Sequence, residues 1–196
     1  MRRLVLLVAA GLVAVGCGHG DDSSRLEVSS LPKLVLQPSD VARLARFDVG
    51  RITRFDAPSG PRSDPTRFGR LDGWKADYKA PAAAAANRAL VVHSQVDLFD
   101  SGDGAHKDLE LYRDEFRAAN DQSPQSAMLL KPAVGDDAAG IAIRRAGNPP
   151  LHIFTIAWRE GRVTASVTVN GFAGLSRRDV LRLARRQEAR ITQAAS

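Results

Sequence analysis

Residues able to do covalent or metal chemistry are few in this 196-residue chain, and they stand far apart. There is one cysteine, Cys17, and there are four histidines, His19, His93, His106 and His152. Zinc is held by clustered His, Cys or carboxylate ligands, on a helix at a spacing of four, and no pair of these histidines has that spacing. His19 beside Asp21 and Asp22 has the right ligand types, but the stretch around it is too polar to pack and offers no fixed geometry. His93 and His152 fall in predicted strands and would meet if those strands were neighbours. The acidic turn Asp97, Asp100, Asp103 does not match a calcium loop, which needs oxygen ligands at alternate positions and a closing glutamate. Turn formation and helix capping account for it better, and Asp136-Asp137 reads as a turn before a strand. The chain also lacks a Gly-x-Ser-x-Gly elbow and a Gly-rich loop ending in Gly-Lys-Ser/Thr. The expectation is a protein with no metal site, no cofactor and no catalytic residues.

The surroundings of Cys17 carry the strongest signal. Met1-Arg2-Arg3 precedes an apolar run from Leu4 to Val15, and Gly16-Cys17 follows, which is the charged, hydrophobic and small-residue order of an export signal. A helix of about a dozen residues rising 1.5 Å each cannot cross a hydrocarbon core of about 30 Å, so residues 1–16 read as a signal peptide. Ala14-Val15-Gly16-Cys17 resembles the lipobox of bacterial lipoproteins, with Ala14 where leucine is usual. That resemblance implies a diacylglyceryl group on the Cys17 sulfur, with palmitate-type chains, and cleavage before it. Several acyl chains hold a protein on a bilayer far more firmly than one, so the expected location is the outer face of the cell membrane. With its only cysteine acylated, the domain has no disulfide and must rely on its apolar core.

The chain has 28 basic and 22 acidic residues, a formal charge of +6, and loss of Arg2 and Arg3 with the signal leaves +4. That excess is modest and is not concentrated in the stripe that nucleic-acid binding requires, so no nucleic acid is expected. About 180 residues remain after cleavage, enough for one ordinary domain with a substantial core. Residues 17–30 read as the lipidated cysteine and a flexible tether, and residues 31–196 as a single domain.

Within that domain, Leu34-Val35-Leu36 opens the first element, and Ser39 is a good N-cap for a short helix to about Arg46. Residues 56–73 are rich in Pro, Gly, Ser and Arg and read as an irregular connection. Trp74–Tyr78 reads as a short strand, and Ala82–Ala86 is too short for a helix of its own. Leu90, Val92, Ser94, Val96 and Leu98 alternate with Val91, His93, Gln95, Asp97 and Phe99, the period of a strand. After the turn at Asp100–Asp103, Ala105, Leu109, Tyr112, Phe116 and Ala119 form one stripe of a helix over 104–120. Strands are expected at Ala138–Arg145, Leu151–Trp158 and Val163–Val169, the last two joined through Arg159-Glu160-Gly161-Arg162. Ser176 and Asp179 open a closing helix with a capping-box start. The fold class is α+β: an antiparallel sheet packed by two longer helices.

The later two-thirds of the chain also resembles actinobacterial-type envelope lipoproteins and related extracellular sensor domains. The resemblance rests on Leu-Pro-x-Leu-x-Leu-x-x-x-Asp at Leu31–Asp40, the strand and helix at Val96–Phe116, Val-Gly-Asp-x-Ala at Val134–Ala138, and Leu-Ala-x-x-Gln at Leu183–Gln187. It implies a non-enzymatic binding or sensing module with an apolar groove for a small lipidic or cell-wall ligand. Trp74, Phe99, Phe154 and Trp158 are candidate lining residues, with a simple core role open for each. The competing class is a structural or interaction lipoprotein that docks on an envelope protein through the last helix, using Arg178, Arg182, Arg185 and Arg186. A solvated face whose aliphatic stems cover the core edge is the other reading of those arginines.

Overall fold

The computed structural model describes residues 26–55, 65–81 and 89–196. Cys17, the signal segment and Ala82–Ala86 lie outside them. Along the chain come α1 (Leu31–Leu34), α2 (Pro38–Val41), β1 (Val49–Arg54), β2 (Arg70–Lys79) and β3 (Ala89–Phe99). They are followed by α3 (Gly102–Gln122), β4 (Ala127–Leu130), β5 (Asp137–Arg145), β6 (Leu151–Glu160), β7 (Val163–Gly171) and α4 (Arg177–Ala195). All seven strands form one antiparallel sheet in the order β1-β2-β3-β7-β6-β5-β4. Two meanders, β1 to β3 and β4 to β7, are therefore joined edge to edge where β3 meets β7, and α3 carries the chain from one to the far side of the other. The α+β class expected from the sequence is the observed one.

Period-two patterning separates the two faces. Val92, Val96 and Leu98 of β3, Ala165, Val167 and Val169 of β7, and Ile156 and Trp158 of β6 point to one side. There they meet Leu31, Leu34, Leu36 and Val41 of the N-terminal segment and Val180, Leu183, Ala184 and Ile191 of α4. On the other side Leu109, Tyr112 and Phe116 of α3 pack on Ala127, Ala139, Ile141 and Ala157, a smaller core. Both long helices have side-chain caps. Ser101 Oγ accepts from Gly104 N–H at 3.2 Å, and Ser176 with Asp179 forms the predicted reciprocal box.

The α4 side is stitched by buried polar contacts. Ser94 Oγ accepts from Leu36 N–H at 3.0 Å and donates to Gln187 Oε1 at 2.8 Å, and Gln187 Nε2 donates to Gln95 C=O at 2.9 Å. Tyr78 Oη donates to Leu36 C=O at 2.6 Å, and burial followed by the charge of Asp40 pushes its pKa up to about 12. Arg190 Nη2 donates to Asp40 Oδ1 at 2.9 Å with Nη1 in ion-pair contact with Oδ2 at 2.7 Å, while Arg186 donates to the Asp40 backbone carbonyl at 3.0 Å. Burial works against the Asp40 carboxylate. The hydrogen bonds from Arg190 and Gln37 N–H, with the charges of Arg190 and Arg186, outweigh it and hold the pKa below the ordinary value. Asp40 and Gln187, the polar residues that close the first and last resembling motifs, thus tie α2 to α4 and α4 to the sheet.

Several expectations are corrected. Leu26, expected in the tether, is buried in the larger core, and Val28–Ser30 make a 3₁₀ turn; an apolar residue beside a finished core packs even when its neighbours are polar. The short helix starts at Pro38 with Gln37, not Ser39, as N-cap, and ends at Val41. A capping box between Gln37 and Asp40, with proline at the first helical position, sets that start. Strand β2 begins at Arg70, inside the stretch read as irregular. Its polar residues are paired, Arg70 with Asp97 and Asp72 with Arg54. Strands β1 and β4 lie at the two edges of the sheet and had no apolar alternation to announce them.

Candidate functional site

The side of the sheet under α3 is unusually polar for an interior face. β3 places His93, Gln95 and Asp97 there, and β7 places Thr164, Ser166 and Thr168. Register aligns Asp77 of β2, His93, Thr168, Thr155 of β6 and Ile141 of β5 in one row across five strands. The next row sets Lys75, Gln95, Ser166, Ala157 and Ala139 side by side.

Helix α3 covers this face unevenly. Near its start Thr164 Oγ1 donates to Ala105 C=O at 3.0 Å, and further on Tyr112 Oη donates to Ser166 Oγ at 3.1 Å. Gly104 lets the turn at 65–68 pass close to the start of α3, since a Cβ there would lie 2.2 Å from Phe68 C=O. Towards its C-terminus the helix stands away from the strands and leaves a cleft of about 560 Å³. Phe116, Ala119, Ile141 and Ile143 give it apolar walls, and Gln95, Ser166, Thr155, Thr168 and His93 give it a polar floor. Glu115 and Gln122 stand at the helix side.

The floor is held by hydrogen bonds. His93 Nδ1 lies 2.6 Å from Asp77 Oδ1. That contact fixes the imidazole ring through Nδ1 and leaves Nε2 as its other polar atom. Lys75 Nζ is 3.8 Å from the other Asp77 oxygen. Thr155 Oγ1 and Thr168 Oγ1 are 3.0 Å apart. Gln95 Nε2 donates to Asp97 Oδ2 at 2.5 Å, while Asp97 Oδ1 accepts from Arg70 Nε at 2.6 Å. Arg70 also donates to Phe55 C=O at 2.7 Å and sits over the Phe55 ring, so this buried ion pair anchors one end of the floor.

A second cleft of about 570 Å³ lies between β4, the 131–136 loop and α3. Of the cations lining it, Arg113 is bound to both Glu110 and Asp137, and Arg117 pairs with Asp114.

Sequence-predicted site residues are dispersed. Trp158 and Phe99 are fully buried, Trp158 in the larger core and Phe99 beside the start of α3. Trp74 and Phe154 are partly buried against the larger core, across the sheet from Phe99. Trp158 Nε1 is buried without a hydrogen-bond partner among the described residues. His93 and His152 do not meet: β7 separates their strands, and His152 stacks with Phe154 on the opposite face. Among the described residues no group of three or more His, Cys, Asp or Glu is arranged to hold a metal ion. Asp97 pairs with Arg70 and Asp103 with Lys107, so the acidic turn does not converge. On α4, Arg178, Arg182 and Arg185 are exposed, whereas Arg186 turns inward to Asp40. Of the cleft's residues the sequence singles out His93 alone, as half of a histidine pair that does not form. The cleft's one signal was the run of polar residues at every second position of β3 and β7.

No protein-family model matches the chain, and no curated protein sequence matches it. Among solved structures it is similar to the extracellular domain of PknH from Mycobacterium tuberculosis, with 10% identity and a TM-score of 0.58. The match covers 84% of this chain and 96% of that one. The expected likeness to extracellular domains of this kind therefore holds at the level of fold.

Proposed function

We propose that this chain is an exported envelope module, held at the membrane by a lipid on Cys17, that binds a small lipidic or cell-wall ligand between α3 and the sheet without transforming it. One observation carries the binding half: a cleft of about 560 Å³ that combines apolar walls with a polar floor, the usual construction of a small-molecule site. The fold shared with an extracellular domain supports an exterior location. No helix among the described residues is long and apolar enough to cross a membrane.

Native mass spectrometry of the protein purified from its own host tests the binding reading. A co-purifying mass is expected, and it is lost when Ala119→Phe fills the cleft. A protein that carries nothing, and whose cleft resonances do not move with envelope lipid or cell-wall fragments, overturns it. Membrane fractionation tests the anchor separately, with Cys17→Ser expected to release the protein. The competing reading, docking through α4, draws on exposed Arg178, Arg182 and Arg185. It predicts that reversing those charges abolishes function with the cleft intact.

A further inference from the structure

The chemistry of the cleft restricts its occupant further, on the premise that the cleft is the binding site. Of its lining residues none is lysine or arginine, in a chain where those two types number 28. The nearby cations are committed elsewhere: Lys75 faces Asp77, and Arg70 is buried on Asp97. Glu115 lines the cleft, and the last turn of α3 brings the negative end of the helix dipole to it through Ala119 and Gln122. A phosphate or carboxylate entering here would lose its hydration with no lysine or arginine of the lining to offset the loss. The floor instead offers hydroxyl and amide groups, each able both to donate and to accept. Thr155 and Thr168 use one hydroxyl hydrogen in their mutual bond, which leaves the second hydrogen and further lone pairs. His93, fixed by Asp77, adds a ring nitrogen.

We infer that the ligand carries an uncharged, hydroxyl-rich head group, glycosyl in type, which meets Thr155, Thr168 and His93 while an apolar part lies along Phe116, Ile141 and Ile143. The site thereby excludes phosphorylated and carboxylate-bearing lipids that share the same apolar part.

Titration of the purified exported protein with octyl glucoside, octyl phosphate and octylammonium, followed by the methyl resonances of Ile141 and Ile143, tests this. Octyl glucoside is expected to move those methyls and to bind more tightly than octylammonium, whose charge meets Glu115 but which has no hydroxyls to donate to and accept from Thr155 and Thr168. It should bind about tenfold more tightly than octyl phosphate. Thr155→Val with Thr168→Val should reduce that preference to about twofold, with alkyl-chain binding retained. Tighter or equal binding of a charged probe overturns the head-group assignment and leaves the cleft as the binding site. Persistence of the preference in the double variant overturns it too. Failure of all three probes to move either methyl overturns the cleft reading, and this inference with it.

Discussion

The two faces of the sheet are made by the same strands but from different side chains. Against α4, β3 and β7 present Val92, Val96, Leu98, Ala165, Val167 and Val169, and the polar exceptions Ser94 and Gln187 satisfy one another. Against α3, the intervening positions are His93, Gln95, Asp97, Thr164, Ser166 and Thr168, and part of that surface is left open as a cleft. Stability alone does not call for hydroxyls and amides on a half-buried face, since valine in their place would pack without the demand for partners. One face is organised to hold the fold and the other to meet something, and substitutions on either side can test that division.

The largest effect is expected on the α4 side. Trp158→Ala, at a wholly buried position, should lower unfolding free energy by about 3–5 kcal/mol in urea titration. A loss under about 1 kcal/mol would mean that this face is less tightly packed than its burial indicates. Asp40→Asn should cost about 1–3 kcal/mol near neutral pH and reshape the pH profile. Because the folded pKa of Asp40 is depressed, its contribution is complete above the unfolded carboxylate value, about 4, and is lost as pH falls through the folded one. The variant should show a correspondingly flatter acid limb. A parallel limb in both proteins would remove Asp40 as the clasp between α2 and α4.

Effects on the α3 side should be smaller for folding and larger for binding. Tyr112→Phe deletes the bond to Ser166 and should cost about 0.5–1.5 kcal/mol in the same titration. Smallest of all, Arg178→Glu with Arg185→Glu, at exposed positions of α4, should change stability by less than about 0.5 kcal/mol and leave ligand binding as it was. If reversing those charges weakened binding as much as filling the cleft, the two faces would not be divided as described.

Much of the architecture is legible in the sequence because its elements carry their own periodicity and caps. The alternation at Ala89–Phe99 gives β3 to the residue, and Ser176 with Asp179 marks the start of α4. The edge strands are not legible in this way. β1 is mostly exposed and β4 has only four residues, so neither shows an inner and an outer face. The site was harder still. Large aromatic residues drew attention as ligand contacts, yet Trp158 and Phe99 do what bulky apolar side chains ordinarily do and fill cores. The cleft depends on which strands become neighbours, and nothing local to His93 or Thr155 says that β3, β7 and β6 will lie side by side.

That adjacency also governs how the molecule can be made. β3 has no partner on one side until β7 has been synthesised, and Gln187, which locks β3 from α4, lies 93 residues beyond Ser94. A chain synthesised N-terminus first would therefore complete its first three strands with one long edge bare. Such an edge invites wrong pairing between nascent molecules, and slow closure is expected of contacts so distant in sequence. Chaperones that shield strand edges should matter more for its yield than for its final stability.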